Sequence, residues 1–192
     1  MIMIQFKNKV KGLLSYDRKQ YKSLKNWFGV SFQLPGVFEG KDIGLDTFLD
    51  VYLPWFKSVI SSFDSDIEWV VNHDYIDEIW FPNNHTNLKN LRLIFRQNRT
   101  PNQFIGGLIL SSNELLELSQ DILSYPYSVC NENGLLYNNL DISHSRLPLV
   151  FKISGHLNID ILSTDKEMLR RIVLENSDNI FILREYRGTE IL

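Results

Sequence analysis

The longest helical pattern in the chain runs from Leu45 to Phe63. Leu45, Phe48, Leu49, Tyr52, Phe56, Val59, Ile60 and Phe63 recur at three- and four-residue spacing, which places them on one buried face. Pro54 lies inside this run and predicts a kink or a break into two helices, since proline removes a backbone donor and crowds the preceding turn. Asp17 is placed to cap a shorter helix through Tyr21, Leu24, Trp27 and Phe28, with Gly29 as its stop. Two capping boxes open further helices. Ser111 with Glu114 starts one that reaches about Ser124, where Tyr125-Pro126 closes it. Thr164 with Glu167 starts the other, with Met168, Leu169, Ile172 and Val173 on its buried side.

Strand patterns fill the gaps. Residues 1–6 read as a short strand, and Val30 to Leu34 as another that Pro35-Gly36 ends in a turn. Ile67 to Val71 and Tyr75 to Phe81 read as two strands joined by an Asn72-His73-Asp74 turn. Leu88 to Phe95 fits a helix capped by Thr86 or a strand, and its apolar content favours the strand. Phe104 to Leu110 is a strand in which Gly106-Gly107 marks a bulge or a close backbone approach. The Asn-rich stretch from Cys130 to Arg146 reads as loop. Leu149, Phe151 and Ile153, then Leu157, Ile159 and Ile161, alternate with other residues on either side of Ser154-Gly155, the mark of a β-hairpin. Ile180, Ile182 and Leu183 to Tyr186 form a last strand. With no internal repeat and no linker, this order predicts one α+β domain over 1–192. It has a largely antiparallel sheet and several packed helices, and ends strand–strand–helix–strand.

Composition agrees with a packed globule: 44% of the 192 residues are apolar and 12% aromatic. Cys130 is the one cysteine, which excludes an intramolecular disulfide and a cysteine-based zinc site. The apolar Met1–Ile4 run is too short for a signal peptide, and no apolar stretch approaches the ~20 residues of a membrane helix. A cytoplasmic location is the expectation. The chain has 17 asparagines and no alanine. Alanine is the best helix former, so its absence reflects an AT-rich gene rather than a structural need.

Candidate chemistry is sparse. His73, His85, His144 and His156 show none of the close pairings of zinc ligands. Ser143-His144-Ser145 has the letters of a hydrolase site, but adjacent residues on a strand point apart. Gly106-Gly107 is followed by no lysine and makes no phosphate loop. Asp77-Glu78 would face opposite sides of a strand, a poor acid–base pair. Neither a metal nor a cofactor is expected.

Charge has more shape. Residues 1–26 carry Lys7, Lys9, Lys11, Arg18, Lys19, Lys22 and Lys25 against Asp17 alone, while residues 39–86 hold ten acids against Lys41 and Lys57. Asp64, Asp66, Glu68, Asp74, Asp77 and Glu78 follow one another with no base between them, interleaved with Trp69, Tyr75 and Trp80. Acids beside exposed aromatics suit docking to a basic protein. The plainer alternative is a solvated hairpin whose tryptophans face the core. A net charge of −3 and a pI near 5.8 argue against general nucleic-acid binding. Lys89, Arg92, Arg96 and Arg99 leave room for a basic groove.

In its small size, mild acidity, AT-rich composition, aromatic content and lack of a catalytic motif, the chain resembles bacterial immunity proteins of polymorphic or contact-dependent growth-inhibition toxin systems. The resemblance implies a non-catalytic cytoplasmic antitoxin that binds a basic toxin C-terminal domain, often a nuclease, and blocks its active site. On this reading Asp64, Asp66, Glu68, Asp74, Tyr75, Asp77 and Glu78 are the candidate partner-binding residues. Two alternatives stay open. One is an enzyme of unrecognised family using His73, His85, His144 or Cys130; the other is a phage or accessory protein that dimerises through an exposed sheet edge.

Overall fold

Strand alternation and helix stripes converge on one eight-stranded antiparallel sheet with the four longer helices packed on one face. The computed structural model describes residues 4–36, 43–74, 78–130, 134, 139–177, 179–186 and 191. In chain order its elements are β1 (Gln5–Lys7), α1 (Arg18–Ser23), β2 (Phe28–Gln33), α2 (Leu45–Ser61), β3 (Glu68–His73), α3 (Lys89–Gln97), β4 (Gly107–Ser111), α4 (Ser112–Ser128), β5 (Leu140–His144), β6 (Leu149–Ile153), β7 (Ile159–Ser163), α5 (Lys166–Asn176) and β8 (Ile182–Glu185). The strands lie in the order β1-β4-β3-β5-β6-β7-β2-β8. The α+β class and the closing strand–strand–helix–strand order are as the sequence pattern predicts. No helix among the described residues is long and apolar enough to cross a membrane.

The period of two along each strand sorts side chains to opposite faces. One face presents Phe32, Trp69, Val71, Leu110, Ile142, Phe151 and Ile161 to the helices, forming the main core with Phe48, Phe56 and Ile60 of α2 and Leu115 and Ile122 of α4. The opposite face carries Val150 and Leu162, which Tyr21 and Trp27 cover, with Tyr16, Leu24 and Tyr186 packed around them. The N-terminal segment therefore acts as a lid on the second face. Strands β5, β6 and β7 are buried along their whole length for this reason.

Several local expectations change. Helix α1 stops at Leu24, which adopts a left-handed φ of 54°, and Phe28 and Gly29 start β2 instead of ending the helix. Asn72 and His73 extend β3 rather than turning; the strand expected over 75–81 falls partly outside the described residues, and Ile79 makes a single bridge to Ile105. Residues 88–95 are helical, not extended. The N-terminal donors of α3 are met by a distant group: Asp121 of α4 accepts from the Leu91 N–H at 2.8 Å and from the Asn90 amide at 3.1 Å. The Asn-rich stretch holds β5, and α5 is capped by Asp165, whose carboxylate accepts from the Met168 N–H at 2.9 Å, in place of Thr164. The Ser111–Glu114 capping box forms as expected.

Prolines 54 and 126 both sit inside continuous helices. A mid-helix proline costs about 3 kcal/mol. Around Pro54 that cost is offset by burial of Phe48 and Tyr52 before it and Trp55, Phe56, Val59 and Ile60 after it, each contributing roughly 1.5–3 kcal/mol.

Gly106 lets β1 close on β4. Its φ is +145°, and a Cβ there would lie 2.1 Å from the Lys7 carbonyl oxygen. Replacement of Gly106 by Ala is expected to destabilise the fold by at least about 2 kcal/mol, through both the forbidden φ and the clash. Urea unfolding of the variant measures this.

Candidate functional site

The structure divides the acidic stretch. Asp64, Asp66 and Glu68 are exposed where α2 hands over to β3, and Asp66 pairs with Arg146 at 3.1 Å, both partners in solvent. Such an exposed pair contributes little stability. Asp74 lies beyond the other end of β3 and is 3% exposed, so it is not part of that face. Glu78 is half-buried, and Tyr75 and Asp77 lie outside the described residues. Trp69 and Trp80 are fully buried: Trp69 donates to Ser112 Oγ and Trp80 to the Gly106 carbonyl, both at 3.0 Å. The tryptophans thus face inward, as the solvated-hairpin alternative had them.

Asp74 belongs to a buried ionic cluster. Lys152 of β6 is 2% exposed and places its Nζ 2.9 Å from Asp74 and 3.0 Å from Asp141 of β5. The Tyr21 hydroxyl donates to Asp141 at 3.0 Å, while its ring lies 5.5 Å from the Lys152 ammonium. Cross-strand register extends the cluster into a polar row, Asn72–Asp141–Lys152–Asp160–Ser31, across β3, β5, β6, β7 and β2. Burial pushes the Asp141 carboxyl above its ordinary range against the pull of Lys152. Burial likewise raises Asp160 from 3.8 to about 6, opposed by its hydrogen bonds from Ser31 and Asn158. Tyr16 and Tyr21 are raised by burial and by the Asp141 charge.

The histidines are occupied in the same way. His144 Nδ1 accepts from the backbone N–H groups of Arg146 and Leu147, both at 3.0 Å, and burial lowers its pKa. His73 Nε2 lies 3.2 Å from the Tyr125 hydroxyl, and its ring packs on Trp80. The two sit four positions apart along the β3–β5 ladder. His85 and His156 are exposed in turns, and Cys130 is half-buried. Among the described residues no three His, Cys, Asp or Glu side chains gather as metal ligands.

Two further surface features stand out. Between α2 and the end of α5 lies a groove of about 510 Å³, lined by Asp50, Pro54, Trp55, Glu175, Ile180 and Phe181 among others. Trp55 Nε1 donates to the Asn176 carbonyl at 2.8 Å and fixes the groove floor. Ile180, 47% exposed, lines the groove together with the two carboxylates. A second cavity, of about 330 Å³, is lined by Phe81, Asn84, Arg92, Arg96, Thr100 and Asn102 among others. The groove left no local signal, because it joins segments far apart in the chain; the cavity lies within residues 80–102, where Arg92 and Arg96 had left room for a basic groove. Comparison with protein-family models, curated proteins and solved structures finds no match.

Replacing Lys152 by Met is expected to destabilise the fold by about 3–5 kcal/mol, because Asp74 and Asp141 stay buried without their cation. Chemical denaturation near neutral pH checks this. Asp160 gives a pH signature. Folded, it keeps its proton up to about pH 6; unfolded, it loses it near 3.8. Its share of stability therefore falls as pH rises through that window, by roughly 3 kcal/mol. Asp160→Asn should flatten this slope and gain stability at neutral pH relative to the parent, as read from urea midpoints across the window.

Proposed function

We propose that this chain is a non-catalytic binding protein of the immunity type, which docks on a basic toxin domain and covers its active site. The observation that carries the reading is the α2–α5 groove, in which the exposed Ile180 lies with Trp55 and Phe181 beside Asp50 and Glu175. Interfaces of this kind combine an apolar centre with a charged rim. Asp50 and Glu175 are exposed and have no ion-pair partner among the described residues, so their field is available to a cationic partner. Pro54 adds to it: lacking an N–H, it leaves the Asp50 carbonyl without its usual helix donor. A lysine or arginine lying along Trp55 with its charge between the two carboxylates fits such a groove. Asp64, Asp66 and Glu68, beyond the C-terminal end of α2, extend the negative field and speed encounter. Asp74 is left to the fold.

The test starts with affinity capture of the tagged full chain from its native cells, followed by expression of the captured basic domain in a neutral host. The domain should arrest growth alone, and this chain should restore it. Asp50→Lys with Glu175→Lys, or Ile180→Asp, should weaken binding by at least about tenfold and abolish rescue. Reversal of Asp64 and Asp66 should slow association and make it less salt-dependent. A captured domain that leaves growth unaffected, or rescue untouched by the groove variants, refutes the reading.

A further inference from the structure

The cavity beside α3 is built from cationic and neutral donors. Arg92 and Arg96 stand one helical turn apart and both line it, with Asn84, Thr100 and Asn102; no Asp or Glu is among the lining residues. Like charges at this spacing weaken a helix. The C-terminal dipole of α3 draws a cation into the last turn, which accounts for Arg96 but not for Arg92 in the helix middle.

Arg92 is held rigidly. Its Nε donates to the Thr86 carbonyl and hydroxyl at 3.2 and 3.1 Å, its Nη2 donates to the Asn83 carbonyl at 2.9 Å and to the Thr86 hydroxyl, and the guanidinium lies 4.3 Å from the centre of the Phe81 ring. Its Nη1 makes no hydrogen bond among the described residues. Arg96 is exposed and likewise makes no hydrogen bond or ion pair among them. Thr100 Oγ1 is buried without a partner. Such a buried, unsatisfied hydroxyl is rare in folded chains. Burial, and then the charge of Arg96, hold the pKa of Arg92 below its ordinary value.

We infer that this cavity binds a small phosphorylated molecule, its phosphoryl group between Arg92 and Arg96 and its organic part along the Phe81 and Phe95 wall. Guanidinium groups recognise phosphate through paired hydrogen bonds. Donors from two arginines, with Asn84 and Asn102 beside them, suit a tetrahedral oxyanion better than the two coplanar acceptors of a carboxylate. The volume of about 330 Å³ exceeds an inorganic phosphate and lies at the small end of organic ligand sites. This site rests on different residues from the α2–α5 groove and stands whether or not the groove binds a toxin.

Isothermal titration of the full chain with inorganic phosphate, ribose 5-phosphate and AMP tests it, in a buffer free of other polyvalent anions. At least one of the two esters should bind saturably with Kd below about 1 mM, and more tightly than inorganic phosphate. Arg96→Gln should weaken that binding by about tenfold or more. Asn102→Ala should weaken it too while circular dichroism shows both variants folded. Arg92 is a poor test because it holds the 83–86 loop. No saturable binding of either ester up to about 10 mM overturns the assignment. So does binding of inorganic phosphate alone, or ester binding that Arg96→Gln and Asn102→Ala leave unchanged.

Discussion

The sheet depends on one ammonium group. Lys152 is bonded to Asp74 and Asp141 in a region where each of these charges alone would be costly. Well-packed apolar residues in place of a buried ionic trio often leave stability unchanged or raise it, so its contribution is better sought in specificity. The sequence Leu149–Ile153 is apolar except for Lys152, and β6 is buried on both faces. An apolar strand between two apolar layers has little to fix its register. A one-residue slip would drive Lys152 into the helical core and place Phe151 or Ile153 against Asp141. The ion pair forbids both, and the row from Asn72 to Ser31 carries the same constraint across five strands.

What the sequence made legible followed the range of the interaction involved. The Ser111–Glu114 capping box, the 149–161 hairpin and the α2 stripe are local, and all three are present. The close approach at Gly106-Gly107 was readable because glycine pairs in strands have few other uses. Residues 88–95 were misread as a strand although Leu88, Leu91, Ile94 and Phe95 keep helical spacing; the group that caps that helix, Asp121, lies 30 residues away. β5 was missed because Asp141, Ser143 and His144 look like loop residues until their partners are seen. The acidic stretch misled for the same reason: Asp74 resembles its neighbours, and nothing near it announces a lysine 78 positions on.

Several residues with chemical reputations are consumed by the fold. Lys152 pairs with Asp141, His144 accepts from the backbone, and His73 meets Tyr125 and Trp80, all of them buried. The surface is left to others: Ile180 beside Asp50 and Glu175 on one side, and Arg92 with Arg96 on another. The two regions have opposite charge, which is how a nearly neutral chain can present both an acidic groove and a basic cavity.

The place of β2 has a consequence for synthesis. Residues 28–33 leave the ribosome well before their neighbours in the sheet, β7 and β8, which span residues 159–163 and 182–185. At ordinary elongation rates β2 waits on the order of ten seconds for β7 alone. Throughout that interval Val30 and Phe32 have no ladder to join, and the lid formed by Tyr21 and Trp27 has no Leu162 to cover. The nascent protein thus carries an unpaired apolar strand until β7 and β8 emerge, a pairing that gives its folding a high contact order.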